Sequence, residues 1–360
     1  STRVRSSAAS DVYKRQQVFQ SLWLGPRLSP LEHLCLKSFV AHGHTFVLYA
    51  YEDVGNVPAG CAIEDARAII DEDAVFAQQS GILAGSFSTF SDRFRYALLR
   101  ARGGWWVDTD VLCLKRDIPD PPYVFAKEDE HVYVCGVLKA PSDSAFLSRA
   151  VARSRLEPSE IAVSQIGPML VNELVRELDL EDQAWAREDL YPLKWDEVLA
   201  VFDPARTDQI EARVASATFV HFYTNMLRLA TILKDLKPPK SSYLDRLYAT
   251  YQVDVPIDRR YGWAEIEPQH LLQQYHWRVE KEAGLLRAEV GALRAEREQL
   301  TVKLREAKDA TDELARIEES VTIQLVRRLS DRFYRLVGRR SPLAHAAQAS
   351  LRLIGRRFIR

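Results

Sequence analysis

Residues 18–24 (VFQSLWL) form a short apolar run stopped by Gly25-Pro26, which predicts a strand. Ser29-Pro30 predicts a helix start, with Ser as cap and Pro at the first position, and Leu31, Leu34, Leu36 and Phe39 follow on it. A second strand is expected at residues 45–51, and strand, helix, strand at this spacing points to a βαβ unit and a parallel sheet. Phe94, Ala97, Leu98 and Ala101 recur at helical spacing within residues 91–102. Gly103-Gly104 ends that helix and Trp105-Trp106-Val107 opens a buried strand. Further strands are expected at 123–126 and 131–138, and helices at 143–154 and 166–178. The α/β alternation continues to about Tyr251.

Past Pro268 the pattern changes. No proline occurs until Pro342, and apolar residues recur by sevens at Leu286, Leu293 and Leu300, then at Leu314 and Val321. Val290 and Leu304 fill intervening positions, while Arg297 and Thr311 interrupt them. This predicts a helical segment over 265–326, either a coiled coil able to form a homodimer or an intramolecular hairpin. From Arg327 onward ten arginines stand against one acid, Asp331, interleaved with Phe333, Leu336, Val337, Leu351, Ile354, Phe358 and Ile359. Such a tail, 327–360, fits an amphipathic helix lying on an anionic membrane surface. A solvated helix end or an RNA-binding arm is the plainer reading of the same residues, and no nucleic-acid partner is expected.

Composition alters this picture in two places. The chain has 360 residues with Lys+Arg 49 against Asp+Glu 50, so its net charge of −1 excludes a globally basic nucleic-acid binder. Residues 6–16 (SSAASDVYKRQ) read as a codon-by-codon translation of a transposon sequencing adapter, so 1–16 is set aside as not native and the native start as missing. The near-zero charge is then a cancellation: +3 in the first 16 residues and +9 in the arginine-rich tail leave −13 on the body between them. Cys35, Cys61, Cys113 and Cys135 include no C-x-x-C pair, which favours neither a disulfide framework nor a zinc site. A reducing compartment is the default, and no run of about 18 apolar residues suggests a membrane span. The expected location is cytoplasmic, peripheral at the inner face of the membrane.

The informative stretch is 91–114, SDRFRYALLRARGGWWVDTDVLCL, in which an apolar strand ends in Asp108-Thr109-Asp110. In an extended chain side chains two apart point the same way, so both carboxylates are expected to converge beyond the strand's end. Ligands of open α/β sheets gather at that carboxyl edge. Two adjacent carboxylates repel unless a cation lies between them. Mg²⁺ or Mn²⁺ takes one or two carboxylates and completes its shell with water and phosphate oxygens. A metal–diphosphate site follows; a solvated turn is the plainer reading of a bare D-x-D.

The segment resembles the sugar-binding region, with its D-x-D motif, of glycosyltransferase family 32 and its capsular-polysaccharide-type relatives. It is more distantly similar to the glucosyltransferase domains of large clostridial toxins. The residues that carry the resemblance are Ser91-Asp92, Arg95-Tyr96, Gly103-Gly104, Trp105-Trp106-Val107 and Asp108-Thr109-Asp110. Residues 21–25 (SLWLG) resemble the opening strand of that family, Gly167-Pro168 its G-P before a helix, and residues 221–228 (HFYTNMLR) its late His-x-x-x-Asn block.

The resemblance implies a GT-A type nucleotide-sugar transferase sandwich over 17–264, with a mostly parallel central sheet. The implied activity moves a hexose from a UDP- or GDP-linked donor to an acceptor hydroxyl with retention, in bacterial surface polysaccharide or glycolipid synthesis. Asp110 would bind the metal directly and Asp108 would share it through water. Asp92 and Arg95 would hold the donor sugar and diphosphate, and Trp23 would stack on the base. His221 is a candidate third metal ligand and Asn225 a candidate donor contact. Each has an ordinary alternative: an i,i+3 ion pair for Asp92 and Arg95, and core packing for Trp23, Trp105, Trp106 and His221. His42 and His44 read as turn residues. Two other functions fit a D-x-D: a Mg²⁺ phosphohydrolase with Asp108 as nucleophile, and a non-catalytic membrane-associated scaffold with a degenerate transferase domain.

Overall fold

A computed structural model describes residues 17–337 apart from 82, 130 and 131. The adapter-like residues 1–16 and residues 338–360 of the basic tail lie outside the described residues. The chain divides into two compact units, residues 1–278 and 279–360.

The first unit begins as the pattern predicts, with β1 (Val18–Trp23), α1 (Pro30–Ala41) and β2 (Thr45–Ala50). A short third strand, β3 (Cys61–Asp65), follows, then α2 (Ser88–Arg102), β4 (Trp105–Val107) and β5 (Val111–Cys113). Next come β6 (Val124–Asp129), β7 (Val132–Lys139), α3 (Ala145–Arg153), α4 (Leu170–Glu177) and β8 (Ala184–Trp185). The remaining elements are α5 (Arg187–Leu190), α6 (Thr207–Val214), β9 (Phe219–His221), α7 (Thr224–Leu229), β10 (Leu236–Lys237), α8 (Tyr243–Thr250), β11 (Ile257–Arg260) and α9 (Trp263–Val337).

The central sheet has the order β3-β2-β1-β4-β7-β6-β8. Neighbours pair in parallel except at β4–β7 and β6–β7, so β7 alone runs against the rest and the sheet is mixed but mostly parallel. Alternation along the strands divides the core. Phe19 and Trp105 point to one face, where they pack with Phe39 of α1, Phe46 and Phe219. Leu22 and Trp106 point to the other, against Phe90 and Phe94 of α2 and Leu147 and Leu174 of α3 and α4. The outer side of α1 carries Leu31, Leu34 and Cys35 into a further cluster with α6, α8 and Ile266. With helices on both faces, both surfaces of the strands are apolar, as a parallel sheet requires.

The break between α2 and β4 is built by its glycines. Gly103 caps α2 at φ 68° and Gly104 follows at φ 82°, a region where side chains are strained. A Cβ on Gly104 would also come within 2.7 Å of Gln20 Nε2, so the chain passes β1 at a distance only glycine permits.

The heptad region corrects one expectation. α9 runs for 75 residues as one helix, with no turn between its heptads, so the hairpin alternative is not what forms. Continuous helix-favouring sequence from Gln269 to Val337, free of proline, explains why. Among the described residues no helix is long and apolar enough to cross a membrane.

Candidate active site

β1 and β4 are adjacent and parallel, yet their helices lie on opposite faces of the sheet. A crevice opens beyond the carboxyl ends of such strands, and Trp23 ends β1 there while Asp108 follows β4. The D-x-D is a turn rather than a strand end: Val111 N–H donates to Asp108 C=O at 3.1 Å. The carboxylates therefore converge because a tight turn folds Asp110 back, not through extended i,i+2 alternation. Asp108 is fixed by its own N–H donating to Gly136 C=O at 2.7 Å and by Trp106 Nε1–H donating to its Oδ1 at 2.8 Å.

Arg95 lies beneath the turn. It is 3% exposed, and its Nη2 is 2.9 Å from Asp92 Oδ1 and 3.2 Å from Asp108 Oδ1. It also donates to Cys135 C=O and sits 5.0 Å from the Trp106 ring centroid. The i,i+3 pair with Asp92 thus forms, and the same guanidinium reaches the D-x-D. Burial pushes the Asp92 carboxyl up to about 6, Arg95 pulling the other way. Gly167 packs on this carboxyl so closely that a Cβ there would lie 2.3 Å from Asp92 Oδ2.

Asp110 is buried, with Oδ2 accepting from Thr224 N–H at 2.7 Å and Thr224 Oγ1–H at 2.9 Å. Its Oδ1 is 3.1 Å from His221 Nε2, and that same nitrogen is 4.0 Å from Asp108 Oδ2. β5–β9 pairing places Val111 opposite His221, which brings a residue 111 positions away onto the motif. Burial raises the Asp110 pKa, but the His221 ring and the Thr224 donors outweigh it and hold the carboxyl well below the usual range. Burial lowers His221, and Asp110 with Asp108 reverses that to a net rise.

Asp108, Asp110 and His221 each offer one ligand atom, all within 4.8 Å of one another. Two carboxylate oxygens and one imidazole nitrogen make a donor set for a divalent cation rather than a thiolate soft-metal site. The surroundings fit as well. Asp92 and Glu128 add further carboxylates around the cluster, and Arg95 adds a cation. Gly136 backs the cluster, and a Cβ there would lie 3.0 Å from Asp108 Oδ2 and 3.1 Å from His221 Cε1. The residues present can hold a divalent cation.

Two cavities meet at the D-x-D. The outer one, about 530 Å³, runs from the half-buried Trp23 past Ser88, Arg95 and Thr109 to Arg228 and Lys234. The inner one, about 270 Å³, is lined by Asp92, Glu128, Trp195, His221 and Tyr223. Arg95, Asp108, Asp110, Thr224 and Asn225 border both. Asn225 Oδ1 accepts from Ser86 Oγ–H at 3.4 Å. Tyr223 and Ser164, both on the inner cavity, hold positive φ of 46° and 66°, the kind of local strain that collects at functional sites. Trp105 and Trp106 are both core residues, the second also orienting Asp108. His42 and His44 lie in the α1–β2 turn, with His44 Nε2 against Lys115 C=O at 2.9 Å.

Sequence reasoning missed Thr224, Gly136, Glu128 and Tyr191, whose ring centroid lies 5.2 Å from that of His221. Gly167 was visible only as half of a G-P pair. Thr224 falls within the 221–228 block without being singled out, while Gly136, Tyr191 and Glu128 carry no local signature.

No protein-family model matches the chain, and no curated protein matches it. Among solved structures the chain is similar to one named PaToxG Glycosyltransferase, at 12% identity and a TM-score of 0.35, over 66% of this chain and 84% of that one.

Proposed function

We propose that this chain is a metal-dependent glycosyltransferase of the family 32 type, moving a hexose from a nucleotide sugar to an acceptor hydroxyl with retention. The observation that carries the reading is the Asp108–Asp110–His221 cluster at the meeting point of two cavities, with the buried Arg95 against it.

Asp108, Asp110 and His221 would hold a divalent cation, which when bound neutralises charge on the departing diphosphate. Trp23 offers an aromatic face to the base in the outer cavity. Arg95 holds the Asp108 carboxylate in place and presents positive charge toward the diphosphate end. Asp92 and Asn225 border the space for the sugar. In the reaction the acceptor oxygen bonds to the anomeric carbon as the bond to the diphosphate oxygen breaks. The acceptor proton passes to the leaving diphosphate on the same face, so no protein base is required.

A panel of UDP- and GDP-linked sugars with Mn²⁺ tests this, comparing the wild type with Asp110→Ala. Release or transfer of the sugar by the wild type, lowered by about 100-fold or more in the variant, is expected. Activity unaffected by Asp110→Ala overturns the site. Phosphate release from phosphomonoesters favours the hydrolase, and lack of metal-dependent nucleoside diphosphate binding favours the scaffold.

A further inference from the structure

The described part of the second unit, residues 279–337, is the continuation of α9. Every seventh residue from Val279 is apolar: Val279, Leu286, Leu293, Leu300, Ala307, Leu314 and Val321. The positions four further on are Ala283, Val290, Arg297, Leu304, Thr311, Glu318 and Leu325. The seam is therefore in one register over seven heptads, polar at three intervening positions and never slipped. It is also open: Leu286 is 60% exposed, Leu293 57%, Leu300 58% and Leu304 72%. A lone helix cannot shield such a stripe, whereas two helices that share it bury it by knobs-into-holes packing.

We propose that this seam pairs with the seam of a second copy of the chain, in parallel and in register. The flanking charges choose both the partner and the direction. One flank carries Glu282, Glu289 and Glu296, and the other carries Arg287 and Arg294. In a parallel pair each flank residue faces the one five positions further along on the other copy. Glu282 then meets Arg287 and Glu289 meets Arg294, each twice by symmetry. Glu296 meets Thr301, Lys303 meets Lys308 as an unfavourable pair, and the seam residues Arg297 and Glu318 each face their own equivalent. An antiparallel pair sets glutamate against glutamate and arginine against arginine or lysine through the same region. Arg297 inside the seam lies beside Glu296 of the second copy. This makes a polar layer of the kind that fixes register at some cost in stability.

Light scattering on the full chain reads the mass. Twice the chain mass is expected, and a single-chain mass overturns the proposal. Leu293→Glu with Leu300→Glu is expected to give single chains whose metal-dependent nucleoside diphosphate binding matches the wild type. A dimer that survives both changes places the interface elsewhere and also overturns it. Direction is read with Leu286→Cys in a Cys61→Ser background, the other three cysteines being buried. Parallel seams bring the two introduced thiols together and give a near-complete interchain disulfide on oxidation. An intact dimer that fails to cross-link overturns the parallel register.

Discussion

Two cavities of nearly equal size, about 570 and 530 Å³, open at opposite ends of strands β1 and β4, and their chemistry is opposite. At the amino end several polar groups already have partners, although Gln17 Oε1 has none. Lys139 pairs with Asp120, Asp120 also accepts from Trp105 Nε1–H at 3.0 Å, and Gln20 Nε2–H donates to Gly103 C=O at 2.7 Å. At the carboxyl end three ligand atoms converge, and just behind them Tyr191 Oη, Tyr223 Oη and His221 Nδ1 are buried with no hydrogen-bond partner. Buried polar groups are ordinarily satisfied, so these three atoms beside the cluster leave hydrogen bonding there open to a ligand. Volume does not distinguish the two ends; the convergence of three ligand atoms does.

The largest break in this comparison comes from removing the charge that the carboxyl end depends on. Arg95→Ala leaves the buried Asp92 without a counter-charge and removes the cation beside Asp108. Losing one partner of a buried pair costs about 3–5 kcal/mol, and urea unfolding is expected to show a loss of that order. Lys139→Met at the amino end removes an ion pair whose Asp120 side chain is 52% exposed, so its cost is expected to stay below about 1 kcal/mol. Equal losses for the two variants would break the contrast.

Much of the carboxyl end is legible in the sequence because it is built from contiguous signals. The α2–Gly-Gly–β4–D-x-D block places Asp92, Arg95, Asp108 and Asp110 within 19 residues, and helix period and glycine punctuation fix their relative positions. What is not legible depends on long-range pairing. β3 is mostly exposed and β8 has two residues, so neither shows a strand pattern. The reversal of β7 follows from a hairpin with bulges against β6, which hydrophobic alternation does not encode. Thr224 reaches Asp110 across 114 residues through β9 and α7. The turn that folds Asp110 back looks like a strand end in sequence, because its residues differ from an extended D-x-D only in backbone angle.

A smaller effect concerns protons. Burial lifts the Asp92 carboxyl from 3.8 to about 6. Between those values the folded protein holds a proton that the unfolded chain has released, so stability falls as pH rises from about 4 to about 6. Two pKa units correspond to about 3 kcal/mol. Asp92→Asn is expected to remove this slope, seen as the difference between the two proteins' urea curves from pH 4 to 7 in EDTA. A difference that does not change with pH would show that Asp92 is ionised throughout, held by Arg95.

The smallest effect tests whether the outer cavity is a nucleoside site. Trp23 ends β1, its Nε1–H donating to Arg27 C=O at 3.2 Å, which holds the indole along one wall of the cavity. Base–aromatic stacking contributes about 1–3 kcal/mol, so Trp23→Ala is expected to weaken Mn²⁺-dependent nucleoside diphosphate binding by about 5- to 150-fold. Trp23→Phe keeps a ring face and is expected to recover most of it. Calorimetric titration of both, beside Lys139→Met, separates stacking from damage to the sheet, since only stacking responds to the ring. If Phe binds no better than Ala, the indole serves the wall and not the base. The nucleoside would then have to lie deeper, toward Arg228 and Lys234.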